Sequence, residues 1–231
     1  MFRMSTRALG KALVIAETLE GKLVPATLAA ITAAAKVGPV TAFASGKDAA
    51  AAAEQLSKVA GVQQVLVASG AAVSSGLPEE LAPVVKSVVE TNGITHVFAA
   101  TSAFSKNVIP RVAAKFDAMP ICDITAVQGE DTFVRHAYAG NVVATVKSAD
   151  AVKFATVRGT SFERAAATGG SAPIAAVAEG GAASGKSKWL EDLIAKSDKP
   201  DLATAATVVA GGRGLKSGEN FKLLEALAAP L

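Results

Sequence analysis

Residues 12–44 read ALVIAETLEGKLVPATLAAITAAAKVGPVTAFA, and this stretch decides the fold. Its two ends, Ala12-Leu13-Val14-Ile15-Ala16 and Val40-Thr41-Ala42-Phe43-Ala44, are short apolar runs bounded by charge or turn residues. They lack the polar alternation of a strand with one wet face, so they suit strands buried on both faces of a parallel sheet. Residues 25–36 between them are alanine-rich, carry Pro25 and Thr27 near their start, and stop at Gly38-Pro39. Those are the start and stop signals of a helix. A strand, a crossover helix and a second strand form the repeating unit of an α/β sheet.

The alternation continues downstream. A helix is predicted over residues 48–59, ending at Gly61, and strand three over 65–68. Helix 81–90 and strand 95–100 follow, then helix 108–116, where Pro110 is tolerable only in the first turn. After Pro120 the pattern changes. Residues 121–127 read as one strand. Residues 132–139, Gly140-Asn141 and residues 142–147 read as a hairpin with a two-residue turn, and 152–157 as a further strand. The expected fold over 12–167 is therefore a parallel, nucleotide-binding-like sheet with an antiparallel extension.

Residues 168–187 are rich in Gly, Ala and Ser and read as a linker, with a short strand over 172–178 as the alternative. A short amphipathic helix is expected over 189–196, broken by Ser197-Asp198-Lys199-Pro200, so that 168–200 is a linker with a short helix. A strand at 206–210, a glycine-rich loop at 211–217 and a helix at 219–228 follow. One strand, one loop and one helix cannot bury both faces of a sheet. Residues 201–231 therefore read as the first β-α unit of an incomplete Rossmann-like domain.

Composition narrows the function classes. The chain has 231 residues, 51% of them hydrophobic, enough to bury a sizeable core. No run of about 18 uninterrupted apolar residues is present, which argues against membrane insertion. The net charge is only +3 and aromatic residues make up 5%, so neither a basic stripe nor a set of stacking rings marks a nucleic-acid binder. The single cysteine, Cys122, cannot form an intrachain disulfide, which fits a reducing compartment. Residues 1–11, MFRMSTRALGK, carry Arg3, Arg7 and Lys11 and no acid. They read either as a mitochondrial presequence or as an ordinary basic terminus.

Val208-Val209-Ala210-Gly211-Gly212-Arg213-Gly214 runs from the expected strand toward a helix. Glycines let a backbone approach a phosphate, a helix start presents free N–H groups, and Arg213 adds a bidentate donor. Gly212, Arg213 and Gly214 are the candidate cofactor-binding residues; a tight turn is the competing reading. The segment Gly180-Gly-Ala-Ala-Ser-Gly-Lys186-Ser187 matches a phosphate-binding P-loop letter for letter. Too few residues follow it to complete such a sheet, and no strand there ends in an acid placed for magnesium. Ser102, Ser105 and Lys106, between strand four and a helix, suit either an anion grip or a helix cap. His96, His136 and Cys122 share no metal-ligand spacing. No Ser/His/Asp or paired-carboxylate arrangement can be argued from the residues.

Several stretches together resemble a known family. They are residues 101–115 (TSAFSKNVIPRVAAK), 157–162 (VRGTSF) and 209–224 (VAGGRGLKSGENFKLL), with LVIAE at 13–17 and DTFVR at 131–135. In that order they closely resemble the alpha subunit of electron transfer flavoprotein across residues 12–228. The resemblance implies an electron carrier that pairs with a beta subunit and holds FAD mostly through its C-terminal domain. It implies electrons taken from acyl-CoA dehydrogenases in the mitochondrial matrix and passed to a membrane quinone oxidoreductase. It makes Arg213 a flavin-binding arginine and residues 201–231 the start of the FAD domain. The family's later flavin contacts are missing from the 231 residues, so the FAD site in this chain is expected to be incomplete. Ser105 stands where the family usually has glycine. The alternative is a non-redox module that binds the beta subunit or an adenine nucleotide.

Overall fold

The computed structural model describes residues 10–19, 21–177, 185–191, 193, 202, 205 and 207–230. The expected presequence lies outside the described residues up to residue 9. So does most of the P-loop-like segment, of which only residues 185–187 are described. The chain divides into two units, residues 1–189 and 190–231.

The first unit opens with β1 (Ala12–Ile15), the small antiparallel pair β2 (Thr18–Leu19) and β3 (Lys22–Leu23), and α1 (Pro25–Ala35). It continues with β4 (Val40–Ser45), α2 (Ala49–Ser57), β5 (Val62–Ala68), α3 (Pro78–Asn92), β6 (His96–Ala100) and α4 (Ala103–Ala114). Then come β7 (Ile121–Val127), β8 (Thr132–Ala137), β9 (Val142–Lys147), β10 (Lys153–Val157) and β11 (Ile174–Ala176). Among the described residues nine strands form one sheet in the order β11-β5-β4-β1-β6-β10-β7-β8-β9. Neighbours from β11 to β7 run parallel, and β8 pairs antiparallel with both β7 and β9. The α/β class and the parallel core with an antiparallel extension are as the sequence reads.

The central strands are buried on both faces because helices cover both. Ala12, Val14 and Ala16 of β1 join the alanines of α1 and α2 on one side. Leu13 and Ile15 join Leu81, Val85, Val108 and Ile109 of α3 and α4 on the other. This two-sided burial is why β1 reads as a continuous apolar run. Small side chains on α1 and α2 let those helices lie close to the sheet. Phe43, Phe98, Phe133 and Phe154 fill the wider spaces.

Helix ends follow local rules. Pro25 and Pro78 occupy first-turn positions, and Glu79 and Glu80 lie in the first turn of α3, where the helix dipole favours acids. Gly93, at φ 61°, ends α3 in the left-handed conformation that glycine adopts without strain. α4 starts at Ala103, five residues before the predicted start, so Pro110 sits inside the helix rather than in its first turn. The cap formed by Ser102 fixes that earlier start.

Four further features differ from the sequence reading. The β8–β9 connection is a 3-10 turn at Tyr138–Gly140 rather than a two-residue turn, with Ala137 opposite Val142. β10 does not prolong the antiparallel ribbon; it inserts parallel between β6 and β7, where its buried Phe154, Ala155 and Val157 are covered on both faces. The short-strand alternative near residue 174 is realised as β11, and the preceding residues are tied to the end of α2. Gly170 and Ala172 donate to Lys58 and Ser57 carbonyls at 2.8 and 2.9 Å. The first unit thus extends past residue 167 into the expected linker.

The fourth difference lies in the second unit. Residues 207–212 form no strand, and the described residues 189–191 and 193 of the expected 189–196 helix are not helical. A lone strand leaves its N–H and C=O groups without a ladder, and no strand among the unit's described residues offers one. Its regular elements are 3-10 turns at Arg213–Leu215 and Gly218–Asn220, then α5 (Phe221–Ala228). Phe221, Leu223 and Leu227 of α5 stay exposed. No helix among the described residues is long and apolar enough to cross a membrane.

Candidate functional site

Two places carry polar groups on backbone positions that suit a ligand. The first is the carboxyl edge of the parallel strands. β1 and β6 are neighbours, but α1 after β1 packs on one face and α4 after β6 on the other. Such a divergence opens a crevice, the usual ligand position in an open α/β sheet. Four adjoining strands each bring a polar side chain to this edge: Glu17 after β1, Thr101 after β6, Arg158 after β10 and Asp123 within β7.

Asp123 has φ 60°, a conformation side chains rarely adopt, beside an irregularity in the β7–β10 register. Its N–H donates to Thr156 Oγ1 at 2.8 Å. Its carboxylate accepts from Arg158 through Nε at 2.9 Å and through Nη2. The Arg158 N–H donates to the Ile124 carbonyl at 3.0 Å, so backbone and side chain lock the two strands together. Partial burial pushes the Asp123 pKa up. Arg158, with Thr101 and Lys106 nearby, outweighs this and leaves it below the ordinary carboxylate value. Asp123 in turn raises the Arg158 pKa. Thr101 stands beside that carboxylate and favours its ionised form.

Ser102 and Ser105 form a reciprocal cap. The Ser105 N–H donates to Ser102 Oγ at 3.1 Å, and the Ser102 N–H donates to Ser105 Oγ at 3.0 Å. This engages both serines with the helix start, so the capping reading holds for them and the anion-grip reading does not. It also gives Ser105, which is buried, a task no glycine performs.

The second place is the glycine loop. Gly211 leaves no room for a side chain: a Cβ there would meet Leu215 Cδ1 at 2.4 Å and Leu224 Cδ1 at 2.5 Å. Gly212 and Gly214 face open space, with nothing within 4 Å of the place a Cβ would take. The first N–H of the turn to find a partner there is that of Leu215, which donates to the Gly212 carbonyl at 3.0 Å. Asn220 Nδ2 ties the turn to α5 through the Leu215 carbonyl at 2.6 Å. Arg213 is exposed and makes no ion pair among the described residues. N–H groups and a guanidinium without partners among the described residues, beside uncrowded glycines, fit the pyrophosphate end of a dinucleotide. Nothing among the described residues of this unit encloses a ring.

The other sequence candidates are structural. His96 is buried at the opposite, amino ends of the strands. Its Nε2 faces the Glu130 carbonyl at 2.5 Å and so carries the proton, which makes Nδ1 the acceptor from Thr95 Oγ1 at 2.8 Å. Burial lowers its pKa, partly offset by the Glu130 carbonyl. Cys122 is half-buried in β7, and no three metal-ligating side chains cluster among the described residues. An open cavity of about 330 Å³ lies near Lys11, Thr41, Gln64 and Asn92, at the amino ends of the strands. Sequence reasoning singled out neither Glu17, Asp123 nor Arg158. Glu17 and Arg158 lie in stretches that carry the family resemblance, and all three stand just after or within apolar strands.

The chain matches the model of the electron transfer flavoprotein domain over residues 12–181. It is 47% identical to the probable electron transfer flavoprotein subunit alpha, mitochondrial, of Caenorhabditis elegans, over 96% of this chain and 67% of that protein. It is 46% identical to the electron transfer flavoprotein subunit alpha of Pseudomonas aeruginosa, over 95% of this chain and 70% of that protein. A mitochondrial alpha subunit of Dictyostelium discoideum is 40% identical over 95% of this chain and 66% of its own length.

Proposed function

Because the chain belongs to the electron transfer flavoprotein family, as an alpha-subunit relative, we propose that it carries electrons on FAD in a heterodimer with a beta subunit. In this proposal it receives electrons from acyl-CoA dehydrogenases and delivers them to a membrane quinone oxidoreductase. The mitochondrial relatives support a place in the mitochondrial matrix.

The observation that carries the flavin part is the open Gly212-Arg213-Gly214 turn. When bound, FAD supplies the electron-accepting and electron-donating chemistry, and the protein supplies binding and orientation. Gly212 and Gly214 let the backbone approach the phosphates, and their N–H groups are unpaired within the turn. Arg213 adds charge and a bidentate fork. Gly211 and Asn220 hold the turn against α5, which fixes where those donors stand. These residues grip only the phosphate end, so this chain by itself is proposed to hold FAD weakly or not at all.

Desalting after incubation with FAD, followed by absorbance of the protein fraction, tests both parts. The chain alone is expected to lose the flavin. With the beta subunit, and with the family's later flavin contacts supplied on a longer chain, retention is expected. Arg213→Ala is then expected to cut retention without altering the unfolding midpoint. Stoichiometric retention by the 231-residue chain, or indifference of the holoprotein to Arg213→Ala, contradicts the proposal.

A further inference from the structure

Parallel ladders seldom bulge, yet the β4–β5 ladder does so at its amino end. Val40 stands opposite Val62, and Thr41 opposite Gln64, so Gln63 is an extra residue. Regular alternation would put Val62 and Val65 on opposite faces of the sheet. Both instead join the cluster under α1 and α2. The bulge thereby leaves two consecutive glutamines outside that cluster, and both line the open cavity of about 330 Å³ at this edge. Neither glutamine side chain, nor that of Thr41 beside them, makes a hydrogen bond among the described residues. The charge of the lining has one sign, since Lys11 is its only charged residue among those described. Lys11 Nζ donates to the Asn92 carbonyl at 3.2 Å and keeps two further N–H donors. The other terminal carbonyls of α3 are engaged as well. Gly93 and Ile94 N–H groups donate to the Glu90 and Val89 carbonyls at 3.4 and 3.0 Å. The negative end of the helix is thus covered, and the field at the cavity is set by Lys11.

We infer that this cavity, with its bulged wall, is a binding site for a small organic monocarboxylate. The Lys11 ammonium pairs with the carboxylate charge. The amides of Gln63 and Gln64 and the Thr41 hydroxyl donate to its oxygens. Pro39 and Ile94 supply the apolar wall for a short hydrocarbon body. One cation and no acid in the lining suit a single negative charge and disfavour an amine. The volume is that of roughly ten water molecules, at the small end of ligand pockets, which sets the size of the ligand. The inference does not rest on the flavin reading, since every residue in it belongs to the first unit.

Amide NMR titration of the full chain tests it, with pentanoate, pentanamide and pentylamine as probes of one shape and three charges. Pentanoate is expected to shift the signals of Lys11, Thr41 and Gln64, and the side-chain amide signals of Gln63 and Gln64, saturably at roughly millimolar concentration. Pentanamide is expected to bind about tenfold more weakly or worse, and pentylamine not to saturate. Lys11→Met is expected to weaken pentanoate binding by roughly tenfold or more. Lys11→Arg keeps the charge and is expected to retain most of the binding, which guards against a loss caused by misfolding. The inference is overturned if pentanoate gives no saturable shift below about 100 mM, the result expected of a cavity that holds water only. It is also overturned if the amide or the amine binds as tightly as pentanoate, or if Lys11→Met binds as the parent chain does.

Discussion

The Ser102–Ser105 cap gives a stability prediction that can be worked from the structure. Ser102→Ala removes the oxygen that accepts from the Ser105 N–H at 3.1 Å. Loss of an N-cap of this kind costs about 1 kcal/mol, with a range of about 0.5–2. Ser105 is 1% exposed, but its hydroxyl keeps a bond to the Ser102 carbonyl at 3.3 Å and continues to accept from the Ser102 N–H. The Ser105 N–H is the group left without its acceptor, so the cost sits in the upper part of that range, about 1–2 kcal/mol. For a unit of this size, each kcal/mol moves the melting temperature by about 2–4 °C, so a fall of about 2–8 °C is expected. Ser105→Ala removes the return bond and the hydroxyl's bond to the Ser102 carbonyl but leaves the Ser105 N–H capped, and is expected to cost less. Because the two bonds share one geometry, the double variant is expected to cost at least about 0.5 kcal/mol less than the sum of the singles. Urea unfolding of the parent chain and three variants, followed by circular dichroism, measures all of this. A Ser102→Ala cost below about 0.3 kcal/mol would falsify the cap, and strict additivity would refute the reciprocity.

Two other perturbations probe the sheet. Phe133 of β8 is fully buried, and its ring meets Phe98 edge-on at 6.4 Å between centroids. Phe133→Ala is expected to cost about 3–5 kcal/mol and Phe133→Leu distinctly less, read as unfolding midpoints; equal costs would show that volume plays no part. His96 is buried with its pKa lowered below 6.5, so the unfolded chain takes up a proton before the folded one does. Stability is therefore expected to fall as pH drops below about 6.5 and to stop falling from this cause below the lowered folded pKa. Urea midpoints between pH 7.5 and 5 for the parent and His96→Gln check the sign: the variant is expected to lose part of the slope, and an unchanged slope counts against the assignment.

Much of the candidate chemistry was legible along the chain because it is local. Gly212-Arg213-Gly214 lies within three consecutive residues, and its open geometry follows from backbone preferences near the site. Ser102 and Ser105 are three apart, the spacing of a reciprocal cap. The carboxyl-edge row was not legible, since its members are far apart in sequence. Asp123 and Arg158 are separated by 35 residues, and only the strand order brings them together. The strand expected at 206–210 shows the converse error: an apolar run without a partner strand among the described residues of its unit stays irregular.

By itself the sequence determined the class of the fold. Uninterrupted apolar runs near 12, 40, 65 and 96, with helical segments between them, admit little besides a parallel sheet covered on both faces, because burial period and start and stop signals act over a few residues. Only the tertiary structure decided where β10 and β11 went, that the first unit runs past residue 167, and that Arg158 meets Asp123 at the carboxyl edge. A strand's apolar pattern says that it needs neighbours on its edges and cover on its faces. Which neighbours it takes is settled by hydrogen-bond ladders and packing between segments distant in the chain, and those leave no local mark in the sequence.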